Sequence, residues 1–222
     1  RYATELARYG IRVELRMTAG AAENRRLLRD ANSGVDIAFM QSGAGDAIHA
    51  VDEDSSGRPF VSLGDLFLEP VWFFYRTDAA QRTASSDTLD HLQELVPLRL
   101  NIGAHGSGVA NLIDKLFNAN KIEPSQMKLQ RLPPTPAVVA LLGGEIDALA
   151  FVSAPESPLV RMLLQTPGIG LLQFPQADAY ARRFPFLTRV TVPRGTIDLA
   201  RDLPHADIPL VAATASLVTT DR

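Results

Sequence analysis

The 222-residue sequence predicts an α/β fold of two similar lobes facing each other across a cleft. Strand-like and helix-like stretches alternate along it, as sheets with crossover helices require. Residues 34–40 line up with residues 146–152. In both copies a glycine ends a helix, an Asp stands near the strand start, and the strand closes on Phe plus an aliphatic residue. The composition is that of a globular protein, 46% hydrophobic with 15 Gly and 15 Pro. Its length suffices for two lobes of roughly 100 residues each.

The elements follow from periodicity. Residues 11–17 alternate apolar and charged side chains, the period of a strand with one solvated face. A tight loop over 18–21 leads to a helix over 22–31, closed by the C-cap glycine Gly34. Residues 35–40 form a nearly all-apolar strand, completing a βαβ unit. An acidic linker (51–59) precedes an apolar stretch over 61–76, whose strand covers 71–75 with alternate aromatics inward. A polar break (77–87) and a short helix (88–95) lead to Pro97, which opens the second lobe.

That lobe repeats the order. It has a strand over 98–103, a glycine-rich loop over 104–108 and a helix over 109–120. A strand over 127–132, a helix over 134–142 with proline in its first turn, and a strand over 147–152 follow. The tail adds strands at 169–174, 187–192 and 208–218 and helices at 176–184 and 198–203. The last strands are expected to cross back to the first lobe.

Composition excludes several functions. A net charge of -3 offers no basic field for nucleic acid, and the absence of Cys removes disulfides, thiol nucleophiles and thiolate metal sites. No internal stretch approaches the roughly 20 apolar residues of a membrane span. The chain starts at Arg1, which reads as a piece of a longer protein with a signal peptide or membrane anchor outside it. Residues 103–108 read G-x-x-G-x-G, neither the dinucleotide order nor a phosphate loop, and Ser107 lacks the flanking glycines of a hydrolase elbow. His49, His91, His105 and His205 are dispersed, so no metal is expected, and Asp52-Glu53-Asp54 reads as a solvated acidic loop.

Ligands in open α/β sheets bind beyond the carboxyl ends of the strands. The loops there are 18–24, 41–43, 104–109 and 153–155. They bear glycine and small polar residues, and two lead directly into helix N-termini, where free N–H groups and the helix dipole attract anions. Plain turn and cap chemistry asks for the same residues, so the argument rests on their convergence at one edge. The candidate ligand-binding residues are Thr18, Gly20, Ala21, Asn24, Gln41, Ser42, His105, Gly106, Ser107, Gly108, Val109 and Ser153. Such equipment suits a small carboxylate or zwitterion. Trp72 or Tyr75 is expected to line the cleft, and Arg76 to pair with a ligand carboxylate or with Glu69.

Residues 18–24 (TAGAAEN) with 35–41 (VDIAFMQ) resemble the T-x-G-S-x-E-N … D-x-A-F-x-Q pattern of TAXI-type solute receptors of TRAP transporters. Residues 63–66, 69–70 and 74–76 are similar to that family's crossover strand, 103–108 to its second ligand loop, and 143–151 and 177–186 to its later blocks. The resemblance implies a bilobal periplasmic-binding-protein fold, type II-like. Lobe 1 would comprise 1–80 plus 187–222, lacking its first strand, and lobe 2 residues 81–186. It also implies lobe closure around an organic acid or an acidic or amide amino acid, delivered to TRAP membrane subunits. No catalysis and no cofactor are implied, and the location is periplasmic, with or without a membrane anchor. Ala21 departs from the family's usual Ser. The alternatives are a membrane-tethered ligand sensor of the same fold, or a small-acid lyase or dehydratase using His105 and Glu23.

Overall fold

Val71-Trp72-Phe73-Phe74-Tyr75 is a run of five large apolar side chains, so any strand it forms needs cover on both faces. The architecture supplies that cover. The computed structural model describes residues 2–18, 20–42, 59–84, 87–105 and 107–221. Its first elements are α1 (Tyr2–Ala7), α2 (Ala21–Arg29), β1 (Ala38–Gln41), β2 (Phe60–Arg76) and α3 (Thr77–Ala84). Then come β3 (Arg99–Asn101), α4 (Gly108–Ala119), β4 (Lys128–Gln130), α5 (Pro134–Leu142), β5 (Ala148–Val152) and α6 (Pro158–Gln165). The tail holds β6 (Ile169–Leu171), α7 (Ala177–Arg183), β7 (Leu187–Val192) and β8 (Ile208–Thr220).

The strands run in the order β1-β8-β2-β5-β3-β4, with β6 on β2 and β7 on β8. β2 changes partner along its length. From Phe60 to Pro70 it pairs antiparallel with β8, and from Val71 to Tyr75 antiparallel with β5. β3 lies parallel between β4 and β5, the arrangement that crossover helices α4 and α5 produce. Two cores result. The larger takes in residues 71–75 with Leu112, Ile113, Leu116 and Phe117 of α4, and also Leu187, Val192, Leu210, Val211 and Ala213. Residues on both sides of positions 80 and 187 therefore share one core. The smaller core is Leu28, Ala38, Met40 and Val218.

Several expectations are corrected. Residues 11–17 form no strand, and Leu15 and Met17 are 75% and 91% exposed. Alternation marks a half-solvated face, but a strand also needs a ladder neighbour, and the described pairing of β1 is with β8. The break at 77–87 contains helix α3, because Ala79 and Ala80 supply a fully buried inner face. The helix expected at 88–95 shrinks to one 3-10 turn (Leu92–Leu95), where Glu94 accepts from the Asp90 and His91 N–H groups. The helix expected at 198–203 is replaced by a turn closed by a bridge between Asp198 and Leu203. Helix α6 was not expected, although Ser157-Pro158 is an N-cap with proline at the first position. All five residues at 71–75 are buried rather than half of them, since both sheet faces are covered. Gly43, the linker to residue 58, His49, Asp52-Glu53-Asp54, Ala19 and Gly106 lie outside the described residues.

The repeated glycine-strand block shares a positive φ, at Gly34 (71°) and Gly144 (76°), but only the second copy ends its helix on a glycine, Gly143, since α2 ends at Arg29. Its two aspartates differ. Asp36 is exposed, whereas Asp147 is buried and takes two hydrogen bonds of 2.8 Å from the Arg99 guanidinium and one of 3.0 Å from the Arg99 N–H. These Arg99 bonds hold the Asp147 carboxyl below its usual range, with burial pulling the other way. A carboxyl lowered in the folded state stabilises the fold above its unfolded value. That contribution disappears as pH falls through the lowered one. Asp147→Asn is therefore expected to cost about 2 kcal/mol at neutral pH. It should also flatten the loss of stability below about pH 4, as read from urea unfolding midpoints at a series of pH values.

Candidate functional site

The loop entering α2 is built by short side chains. The Thr18 hydroxyl donates to Asn24 Oδ1 at 2.6 Å and accepts from the Gly20 N–H at 3.4 Å. Asn24 Nδ2 donates to the Phe39 carbonyl at 2.8 Å, tying the first turn of α2 to β1. Gly20 sits at φ 131°, ψ -163°, a conformation essentially restricted to glycine, and no side chain caps the helix. Ala21, at the first helical position, leaves that end without the hydroxyl a serine would bring.

The loop entering α4 is the counterpart. The Ser107 N–H donates to the Ala104 carbonyl at 3.1 Å, and Gly108 and Val109 begin the helix. Ser107 occupies the N-cap position, yet its hydroxyl makes no capping bond. The Ser107 Oγ is buried and has no hydrogen-bond partner among the described residues. A Cβ placed on Gly103 would lie 3.0 Å from that oxygen, so the loop closes tightly there. His105 is exposed at the outer turn.

These two loops meet. A Cβ on Gly20 would lie 4.0 Å from the Cα of Ser107, so the loops that enter α2 and α4 touch at van der Waals distance.

The remaining candidates sit where β2 changes partner. Gln41, ending β1, stands opposite Ala215 of β8, and Glu69 of β2 stands opposite Ala213. Over this row of alanines Gln41 Nε2 donates to Glu69 Oε2 at 2.6 Å. The Ser153 N–H donates to the Pro70 carbonyl at 3.4 Å, and the Ser153 carbonyl accepts from Trp72 Nε1 at 2.9 Å. Ser42 is fully engaged within the protein. Its hydroxyl donates to the Phe186 carbonyl and accepts from the Thr214 N–H, while its own N–H donates to the Thr214 carbonyl.

Three aromatic and cationic expectations fail. Trp72 and Tyr75 are 0% and 2% exposed and line no open surface. Arg76 ends β2, away from Glu69 in mid-strand, and is held by Asp78 through two bonds of 3.1 and 2.9 Å. Glu69 is the residue that sequence reasoning undervalued, by treating it only as a partner for Arg76. Burial pushes its carboxyl above the usual range, the Gln41 hydrogen bond partly offsetting this. The signal was present as an acid in an otherwise apolar strand, just before Pro70. The lyase candidates do not form a pair, since Glu23 lies 3.9 Å from Arg26 and His105 faces solvent. Among the described residues no group of three His, Asp or Glu is placed to hold a metal. An open depression of about 580 Å³ belongs to α6 and its flanking turns, lined by Glu156, Arg161 and Met162 among others, and touches none of the candidate residues.

A family model described as the NMT1-like family matches residues 2–222. Among solved structures, the chain resembles the effector-binding domain of QuiR in complex with shikimate, with a TM-score of 0.52 and 14% identity. That match covers 91% of this chain and 69% of the other. It also resembles the periplasmic aliphatic sulphonate binding protein SsuA from Escherichia coli (TM-score 0.51, 16% identity, 96% and 58% covered). An ancestral arginine-binding protein bound to arginine is similar as well (TM-score 0.51, 11% identity, 99% and 74% covered). At these identities the likeness is one of fold, and the fold is the type II periplasmic-binding-protein-like α/β architecture.

Two substitutions test the loop geometry. Gly20→Ala is expected to cost about 1 to 3 kcal/mol through backbone strain, with no steric clash at 4.0 Å. Ser107→Ala removes no capping bond. Its unfolding free energy, measured by urea titration, should stay within about 0.5 kcal/mol of the parent, unlike an ordinary N-cap loss of about 1 kcal/mol.

Proposed function

Because the chain belongs to the NMT1-like family, we propose that it is an extracytoplasmic solute receptor that closes its lobes around a small carboxylate for delivery to a TRAP-type membrane transporter. The observation that supports this reading is the approach of the two helix-entry loops at Gly20 and Ser107, neither of which carries a side-chain cap. Each loop leads into a helix whose first N–H groups and positive dipole end favour a carboxylate, which would enter when the two loops move apart. The ligand-binding residues are Thr18, Gly20, Ala21, Asn24, Gln41, Ser42, His105, Gly106, Ser107, Gly108, Val109 and Ser153. Within that set Thr18 and Asn24 shape the first loop, and Ser107 adds a hydroxyl that has no partner among the described residues.

Closure follows from the same geometry. β2 and β8 run through both halves, so bending them where β2 exchanges β8 for β5 opens or shuts the gap between α2 and α4. A ligand touching both helix ends binds the closed form better than the open one, and that difference drives the shift. The reading assigns the protein no catalytic step. The fold neighbours support small-molecule binding: QuiR's domain holds shikimate, SsuA binds aliphatic sulphonates and the ancestral protein holds arginine, all bearing an acidic group. The periplasmic location of SsuA supports the extracytoplasmic setting. No helix among the described residues is long and apolar enough to cross a membrane. Delivery to TRAP subunits rests on the TAXI-type resemblance of residues 18–24 and 35–41.

A second reading keeps the site and changes the output. The QuiR neighbour is an effector-binding domain, which favours a ligand sensor whose closure signals. Processing of the full-length protein separates the two, because a cleaved leader marks a receptor and a retained membrane helix marks a tethered sensor.

A thermal-shift screen with succinate, 2-oxoglutarate, L-glutamate and L-glutamine tests the binding site. A ligand at a hundredfold excess over its Kd stabilises the folded state by about 2.7 kcal/mol. A rise in Tm that disappears in Ser107→Ala and Asn24→Ala is the expected result. A rise unaffected by both substitutions would place the ligand elsewhere and reject this site.

A further inference from the structure

Among the described α-helices α5 alone carries no charged side chain. From Leu132 to Gly144 the chain is uncharged throughout, and Thr135 supplies the only polar side chain. A helix that is apolar on every side belongs inside a larger assembly. Only one side of α5 is covered. Ala137, Val138, Ala140 and Leu141 are buried, whereas Val139 is 64% and Leu142 43% exposed. Thr135, Pro136 and Gly143 are exposed beside them.

The backbone of α5 is equally suited to losing water. Of its first three residues, Pro134 and Pro136 have no N–H, and the next N–H, of Ala137, donates to the Pro133 carbonyl at 3.0 Å. At the other end the carbonyls of Val139, Ala140 and Leu141 accept from the N–H groups of Gly143, Glu145 and Gly144. The helix therefore brings few unsatisfied polar groups to a contact, and such groups are what makes burial costly.

Charge stands only at the two ends of this stretch, with opposite signs. Arg131 precedes it and Glu145 follows it, and neither side chain has an ion pair or hydrogen bond among the described residues. Arg76 and Arg99 reach the carbonyls of Leu141 and Gly144, but they are bound to Asp78 and Asp147 and do not pair with Glu145. The exposed face is also symmetric about its middle. Pro136 and Leu142 lie three positions either side of Val139, and Thr135 and Gly143 lie four.

We propose that this face of α5 is the contact of a homodimer, in which two copies of the chain lay their α5 helices antiparallel about a two-fold axis at Val139. Val139 then meets its own counterpart, and Pro136 packs on Leu142 of the second copy. Thr135 faces Gly143, two small residues that let the helices approach closely. Arg131 of each copy reaches Glu145 of the other, giving two equivalent ion pairs at the rim. A parallel arrangement would set Arg131 on Arg131 and Glu145 on Glu145, so the end charges fix the direction of pairing. A second copy matches this surface in both polarity and end charge. No solute takes part in the contact, so it stands whether or not the chain is a receptor.

Sedimentation equilibrium from about 10 µM to about 1 mM tests the dimer, a range suited to the weak association of a small interface. The expected result is a mass rising from 24.1 kDa toward twice that value. Val139→Glu changes an exposed side chain and should raise the dissociation constant about tenfold or more, because two carboxylates would be buried face to face. Arg131→Glu and Glu145→Arg should each weaken the dimer severalfold by setting like charges together. The double variant Arg131→Glu/Glu145→Arg should recover the parental affinity, with circular dichroism confirming that every variant is folded. A parent protein that stays at 24.1 kDa throughout would overturn the proposal. A dimer indifferent to Val139→Glu would place the contact elsewhere and reject α5. Loss in the single charge variants without recovery in the double one, or no loss in either, would reject the antiparallel arrangement. A monomer that instead binds phosphatidylcholine vesicles, and releases them in Val139→Glu, would give the face to a lipid surface and reject self-association.

Discussion

The hydrogen-bond ladder of β2 is the constraint on which the rest of the structure depends. One strand of 17 residues pairs with β8 over its first part and with β5 over its second. The partner exchange occurs at Pro70-Val71, and proline, which donates no N–H, occupies the first of those positions. Everything placed at that junction inherits its position from the ladder. Glu69 sits one residue before Pro70, and Ser153 is bonded to the Pro70 carbonyl. Trp72 is held against the Ser153 carbonyl from two residues beyond.

The alanines of β8 serve the same junction. Ala213 and Ala215 are nearly fully buried and lie under the Gln41–Glu69 bridge. A larger side chain at either place would block the reach from β1 to β2 across the strand between them. Ser42 secures the other side of that strand through Thr214. Small residues here are a condition for side chains two strands apart to touch.

How much of this was legible depended on what kind of information each element needs. Helix α5 and strand β7 were readable to the residue, because proline at a helix start and a short β-branched run closed by proline are local signals. The segment 11–17 carried a clean alternation and formed no strand, since pairing is decided by a neighbour that sequence periodicity does not name. Helix α3 was hidden because its inner face is alanine, which reads as neutral until the chain packs. The glycine and serine loops were found from their composition, but the approach of Gly20 to Ser107 joins positions 87 residues apart and is visible only in three dimensions. Glu69 was visible as an anomaly in an apolar strand. Its lack of a cation became clear only when Arg76 proved to be bound to Asp78.

Trp72 is the only tryptophan in the chain. Its indole is fully buried, stacks at 6.1 Å on Phe74, and is hydrogen-bonded to the loop that carries Ser153. Indole emission responds to the polarity and hydrogen bonding of its surroundings, so this protein has a built-in optical probe with one emitter at one address. Because that emitter stands beside the Pro70-Val71 junction, its colour and intensity respond to any rearrangement there. The junction can be watched in real time without attaching a dye.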